Sequence, residues 1–348
     1  MIKMKKKLFM LVASLMFCIV KVQATETNEE MSATNLIDYC GGVHMSQVLV
    51  GDQHEPLYPE FVNPEYAVNK IYNRAGNLIA RISEEEGLEK LSYDNWQEYS
   101  ESLYKLIDTD AYFDYQNEIE WLQMFFDIFE NRDKNMEITE HCNSNRRLGK
   151  IKSEELAMML PYNSKTFTEY NGKKCAGISG EHISTVGINY GISYARRYAE
   201  VRNTPTYYSF RNGDCANFTS QILEASGVKQ IKYPSPSQGW WHNYDRQSGR
   251  HTHSNTWSMA DAFARYQGII YTTRSHDNFK KNISAGSFIV CDEASDGDWD
   301  HCGFVTEVWA TDYVVAQHTK DYCEPTAADI NHWEEKGVKG GTYARVRY

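Results

Sequence analysis

Two short stretches of the chain hold residues that together could carry out acyl transfer. In Gly213-Asp214-Cys215 a thiol stands where a loop is expected to turn into a helix, which Phe218 and Ile222 continue on one face to about Ala225 and Gly227 stops. Oriented N–H groups at a helix start favour the thiolate, and the thiolate is the attacking species. Such a nucleophile needs a base that takes its proton and later returns one to the leaving group, work that histidine does near neutral pH. His301 stands in Asp298-Trp299-Asp300-His301, just before a run that reads as a strand. His318 and Asp321 fall at or near the end of the next strand, on the same edge of the sheet, and either could hold the imidazole in its working tautomer. Register leaves both open, since a two-residue loop would set position 322 opposite 301. Taken alone these signals are modest: eleven histidines are present, and a helical cysteine is by default a core residue or half of a disulfide. Asp214 is a preferred residue type for capping the helix that Cys215 opens.

The elements that must position these groups occupy the second half of the chain. A helix is expected over 183–202, with Val186, Tyr190, Tyr194 and Tyr198 four apart and Thr204-Pro205 as its stop. An aromatic loop rich in Pro and Ser follows the Cys215 helix. Trp240 and Trp241 in that loop are candidates for lining a substrate groove, because an indole offers wide contact with a polar handle. A short helix around 258–266 precedes strands near 269–273, 287–291, 302–309, 313–318 and 342–347, mostly antiparallel. Helices first and strands afterwards point to an α+β domain with its helices grouped on one side of an antiparallel sheet.

The first half is patterned differently. Asn63 can cap and Pro64 can open a helix carrying Val68, Ile71, Tyr72, Leu78, Ile79 and Ile82, which ends near Gly87. Trp96, Leu103 and Ile107 repeat the spacing, as do Tyr115, Ile119, Leu122, Phe125, Phe126 and Phe129. This is the pattern of a helical packing domain; a gating or inhibitory pro-region is the second reading. Residues 136–180 read as an irregular connection. The division is therefore a leader at 1–24, a mostly helical domain at 25–180 and an α+β domain at 181–348.

The blocks Gly213-Asp214-Cys215-Ala216-Asn217-Phe218-Thr219-Ser220-Gln221, Gly239-Trp240-Trp241 and Asp296-Gly297-Asp298-Trp299-Asp300-His301-Cys302-Gly303 resemble the putative amidase domain family, which belongs to the papain-like cysteine-hydrolase superfamily alongside the CHAP and NlpC groups. Tyr194-Ala195, Tyr198-Ala199 and Gln317-His318-Thr319-Lys320-Asp321 extend the likeness over about 185–348, under half of the chain. The resemblance implies a papain-like C-terminal domain with Cys215 as nucleophile, His301 as general base and, by similarity with NlpC-type hydrolases, His318 as the orienting residue. It implies amide hydrolysis through an acyl-thioester, with no metal and no organic cofactor, on peptide or peptidoglycan-like substrates. Cys302 departs from the pattern, where a small or hydroxyl residue is expected. Cys291 and Cys302 flank a short acidic loop and are candidates for a disulfide that would stiffen the base.

The leader is read from Lys3, Lys5, Lys6 and Lys7, the apolar run Leu8 to Val20, and Val22-Gln23-Ala24 as a secretory signal cleaved after Ala24. Phe17 is bulky where a lipoprotein signal before Cys18 would have a small residue. Removing 1–24 takes five of the 36 Lys/Arg and none of the 47 Asp/Glu, moving the formal balance from −11 to −16. So acidic a chain is repelled by nucleic acid and anionic lipid, and its apolar run is too short to span a bilayer. A secreted, extracytoplasmic protein of unknown oligomeric state is expected. His251-Thr252-His253 lacks further ligands at zinc spacing, and the acidic run 292–300 lacks the calcium-loop spacing and reads as a solvated turn. The reading from a different class is an exported, non-catalytic module whose aromatic loops bind a glycan or a protein partner.

Overall fold

The helical spacing of the first half does fold as helices, but behind a pair of strands that prolines concealed. The computed structural model describes residues 33–50, 53–107, 111–148, 159–161, 183–211, 213–338 and 340–348. The leader, Cys18, Cys175 and much of the connection read at 136–180 lie outside them. Helix α1 (Ala33–Tyr39) leads into an antiparallel hairpin of β1 (Val43–Val50) and β2 (Gln53–Phe61). Pro56 and Pro59 in β2 break the strand signal, and a two-stranded sheet accommodates them because each strand is an edge. Helix α2 (Pro64–Glu86) begins and ends as its sequence dictates: Asn63 accepts a hydrogen bond from the Tyr66 N–H at 3.0 Å, and Gly87 adopts φ 67°. Helices α3 (Trp96–Ile107) and α4 (Ala111–Leu148) pack against it, and α4 runs through the stretch 136–148 expected to be irregular. Phe125, Phe126, Phe129, Trp96 and Tyr99 from α3 and α4 fill the core they share with Ile71, Leu78, Ile79 and Ile82 of α2.

The second half continues with α5 (Thr185–Tyr198) and α6 (Cys215–Ala225). The loop that follows carries a small hairpin of β3 (His242–Asp245) and β4 (Arg250–His253), then α7 (Asn255–Ser258) and α8 (Ala260–Gln267). Next come β5 (Ile269–Thr273), α9 (His276–Lys281), β6 (Phe288–Asp292), β7 (His301–Val308), β8 (Tyr313–Gln317), β9 (Tyr322–Pro325), α10 (Trp333–Val338) and β10 (Thr342–Val346). Six of these strands form one antiparallel sheet in the order β5-β10-β6-β7-β8-β9. The expected strands are all present, and β9 is an addition.

Helices cover both faces of this sheet, not one. Phe288, Val290, Cys302, Phe304 and Ala316 point toward α6 with Phe218 and Ile222, while Ile289, Cys291, Val305, Val315 and Tyr343 point toward Phe279 of α9 and Trp333 of α10. β6 is buried on both faces, which is why Phe288 to Cys291 reads as an apolar run without alternation. Residues 31–348 form one compact unit in which the helical half and the sheet each keep a core of their own. Among the described residues no helix is long and apolar enough to cross a membrane.

Candidate active site

Cys215 is the first residue of α6, and its side chain packs into the layer between that helix and the sheet, leaving the residue 5% exposed. Gly213, at φ 68°, turns the chain into the helix in a backbone conformation that residues with a Cβ avoid. Asp214 does not cap α6 as expected. Its Oδ1 accepts from the Phe210 N–H at 2.8 Å and from Asn217 Nδ2 at 2.9 Å, and its Oδ2 meets His318 Nδ1 at 2.5 Å. The thiol of Cys215 lies between Cys302 and His301 and is held well below the usual thiol value. The Cys302 thiol donating to it acts most strongly, and the charge and hydrogen bond of His301 act in the same direction against burial. Cys302 carries the opposite consequence: burial and the facing Cys215 push its own thiol well up, so Cys302 is the donor of the pair.

His301 opens β7, paired with Cys291 of β6. Its Nε2 lies 2.8 Å from Gln317 Oε1 at the end of β8. The indole Nε1–H of Trp333 donates to the same oxygen at 2.7 Å, and Gln317 Nε2 donates to the carbonyls of Thr319 at 3.1 Å and Lys320 at 3.4 Å. Indole nitrogen is donor-only, so the atom facing Trp333 is the amide oxygen, and that oxygen requires an N–H from His301. Nε2 therefore carries the proton and Nδ1 is left as the basic nitrogen. The turn that aims the two carbonyls is strained, because Thr319 and Lys320 take φ 64° and 61° and a β-branched residue is rare there. Gly303 gives Trp333 its room: a Cβ at 303 would come within 2.8 Å of the indole ring.

Register explains why Gln317 holds this place. The β7–β8 turn comes one residue earlier than expected and β7 bulges at Thr306, so Phe304 pairs with Ala316 and Val305 with Val315. Continuing that ladder sets Gln317 beside Gly303 and on the face of His301, and turns His318 to the other face. His318 thus does not orient His301. Its ring lies on Phe218 at 3.7 Å between centroids, with Nδ1 at Asp214 and Nε2 2.9 Å from the Tyr198 carbonyl, a clamp joining β8 to the end of α5 and the start of α6. Asp321 is also occupied elsewhere, by Arg202 at 2.6 and 2.8 Å.

Two further expectations are corrected. Trp240 is 1% exposed, its Nε1–H donating to Ser220 Oγ at 3.0 Å and its ring against Trp257, and Trp241 is 7% exposed with Nε1–H on the Gln238 carbonyl at 2.9 Å. Both are packing residues, not walls of an open groove: Trp240 holds the aromatic loop onto α6, and Trp241 is tied within the loop to Gln238 and Ser254. Cys291 and Cys302 are both free thiols. Val290 pairs with Cys302 and Cys291 with His301, so the two sulfurs leave opposite faces of the sheet and cannot bridge.

The loop 292–300 that delivers His301 is not a solvated turn. Asp292 and Asp296 are buried, with Asp292 accepting from the N–H groups of Ser295 at 2.5 Å and Gly297 at 3.3 Å, and Asp300 from that of Glu293 at 2.5 Å. Helix α4 packs on this loop: Lys134 is hydrogen-bonded to Asp298, and Asp127 to Asp300. Burial pushes the carboxyls of Asp127, Asp296 and Asp300 well above the ordinary range, and the charge of Asp298 adds to each.

A family model described as a putative amidase domain matches residues 188–341, the stretch that holds Cys215, His301, Gln317 and Trp333. The match spans under half of the chain, and that part is similar to the putative amidase domain family. Comparison with curated proteins and with solved structures gives no match. The amidase domain points to hydrolysis of an amide substrate. Within it, the structure brings Cys215 and His301 together, sends His318 to a structural clamp, turns Cys302 from an expected disulfide partner into a hydrogen-bond donor to Cys215, and adds Gln317 and Trp333, for which the sequence suggested no role. The signal for Gln317 is period-two alternation from His301, legible only once the register across the β7–β8 turn is known.

Proposed function

We propose that this protein is a cysteine-dependent amidase or peptidase. The thiolate of Cys215 attacks an amide carbonyl, the proton taken by His301 Nδ1 passes to the departing amine, and water then hydrolyses the Cys215 thioester with His301 as base. Gln317 positions His301 throughout, and water is the one co-reactant that these steps consume besides the amide. The Cys215 backbone N–H at the start of α6 is the natural donor to the tetrahedral oxyanion, a contribution of about 3 kcal/mol where such donors have been removed. A papain-like arrangement, with the nucleophile at a helix start and the base on the adjacent sheet, accords with this reading.

The observation that carries the proposal is the thiol of Cys215 lowered between Cys302 and His301, with the other nitrogen of His301 fixed by Gln317. Export through the Lys3–Ala24 leader and a peptide substrate of the cell-wall type are part of the same proposal, resting on the leader pattern and on the resemblance to the CHAP and NlpC groups. The test is turnover of purified peptidoglycan fragments, dipeptide amides and glutamine by the full chain and by Cys215→Ala; activity retained in the alanine variant rejects the mechanism.

A further inference from the structure

Away from Cys215, three side chains from distant parts of the sequence converge at the boundary between the helical half and the sheet. Glu120 projects from α4, His332 immediately precedes α10, and Glu335 lies in the first turn of that helix. One ligand atom of each lies within 4.8 Å of the other two, with His332 Nδ1 and Glu335 Oε2 at 3.6 Å. The Glu335 N–H closes the turn onto the His332 carbonyl at 3.2 Å, and the three-residue spacing sets both side chains on one side of it. His332 is well covered, its side chain 13% exposed, whereas that of Glu335 is 50% exposed and leaves an open flank for water.

We propose that Glu120, His332 and Glu335 bind one divalent first-row transition ion of the Zn²⁺ type. One imidazole and two carboxylates form a mixed N/O set that suits such an ion, and water on the open flank completes four-coordination. The imidazole disfavours Ca²⁺ and Mg²⁺, which take oxygen ligands. The ion ties α4 to the start of α10, one residue from Trp333, whose indole holds the Gln317 oxygen. Its role is a clamp between the helical half and the segment that backs the catalytic histidine; no chemical step passes through it.

The test uses the full chain, chelator-stripped, carrying Cys215→Ser and treated with iodoacetamide so that accessible thiols do not take the ion. Calorimetric titration with Zn²⁺ is expected to give one site per chain, thermal unfolding to shift upward with Zn²⁺ and not with equal Ca²⁺ or Mg²⁺, and Co²⁺ to show ligand-field bands without thiolate charge transfer. Glu120→Gln and His332→Gln, with wild-type near-ultraviolet circular dichroism, are each expected to weaken Zn²⁺ by more than about 10-fold, a loss that even outer-shell partners cause. Absence of saturable binding, a thiolate band with Co²⁺, or unchanged affinity in both variants overturns the site. So does a stability change in His332→Gln with no Zn²⁺ response in the parent, which would make the three groups an ion-paired triad only. None of these readouts is amide hydrolysis, so failure here leaves the Cys215 mechanism standing.

Discussion

His301 Nε2 and Gln317 Oε1 lie 2.8 Å apart, and that single contact decides which imidazole nitrogen faces Cys215. The amide is itself held at both ends, by Trp333 on its oxygen and by the Thr319 and Lys320 carbonyls on its nitrogen. Gln317→Leu removes the acceptor while keeping bulk. We expect kcat to fall by about 10- to 100-fold with KM little changed, the scale of a lost positioning hydrogen bond to a charged intermediate. Trp333→Phe, which deletes only the N–H donor and some ring, should lower thermal stability by about 1 kcal/mol and kcat less than Gln317→Leu does. Steady-state kinetics with circular dichroism checks both.

Among the described residues Cys215 should be the first thiol to react in the native protein. Its thiol is lowered, chiefly by the Cys302 hydrogen bond, whereas burial raises Cys40 to about 12 and raises Cys291 and Cys302 well above the usual value. Because Cys215 is only 5% exposed, a small reagent is the right probe. Iodoacetamide under native, unreduced conditions, followed by mass spectrometry, should modify Cys215 selectively, with a rate that plateaus below the usual thiol value. In Cys302→Ala the midpoint should move to higher pH. An unreactive Cys215 would remove the nucleophile from the mechanism.

Replacing the nucleophile gives a sharper loss. Cys215→Ala should lower amide hydrolysis by roughly 10⁴-fold or more, as removal of a triad member does. The unfolding transition should remain cooperative, as denaturant titration would show.

His318 should matter for folding and not for the pH profile. It is 1% exposed, against an equally buried Asp214 carboxylate, and His318→Ala takes the imidazole away from the Asp214 Oδ2 while Phe210 and Asn217 still hold Oδ1. We expect a loss of about 3–5 kcal/mol, the cost of breaking a buried pair from one side. If the variant folds and the pH dependence of kcat/KM moves instead, His318 belongs to the catalytic apparatus.

The acidic junction between α4 and the 292–300 loop should make stability fall with rising pH. Asp127, Asp296 and Asp300 hold raised carboxyls in the folded state, burial being the first cause, so the native protein keeps protons that the unfolded chain has released. Stability is then greatest below the unfolded carboxylate value, near about 4, and declines as pH climbs through the raised native values. Asp300→Asn keeps an acceptor for the Glu293 N–H and removes the titration. It should flatten the decline and gain about 1 kcal/mol or more at neutral pH. Thermal unfolding of both proteins across the range decides it.

The sequence by itself determined the helices of the first half, the position of Cys215 at a helix start, the strand carrying His301 and the likeness of 188–341 to the putative amidase domain family. These are local matters: an Asn-Pro start and a Gly end, a three-and-four spacing, a glycine that turns the chain into α6. What only the tertiary structure decided is which residues those elements bring together. A turn one residue earlier and a bulge at Thr306 exchanged His318 for Gln317, because side chains in a strand alternate and a shift by one reverses every face. The same alternation parted Cys291 from Cys302 and brought Cys302 to Cys215. The acidic loop likewise reads as surface until α4 is laid over it, since burial is a property of what packs against a residue and not of the residue itself.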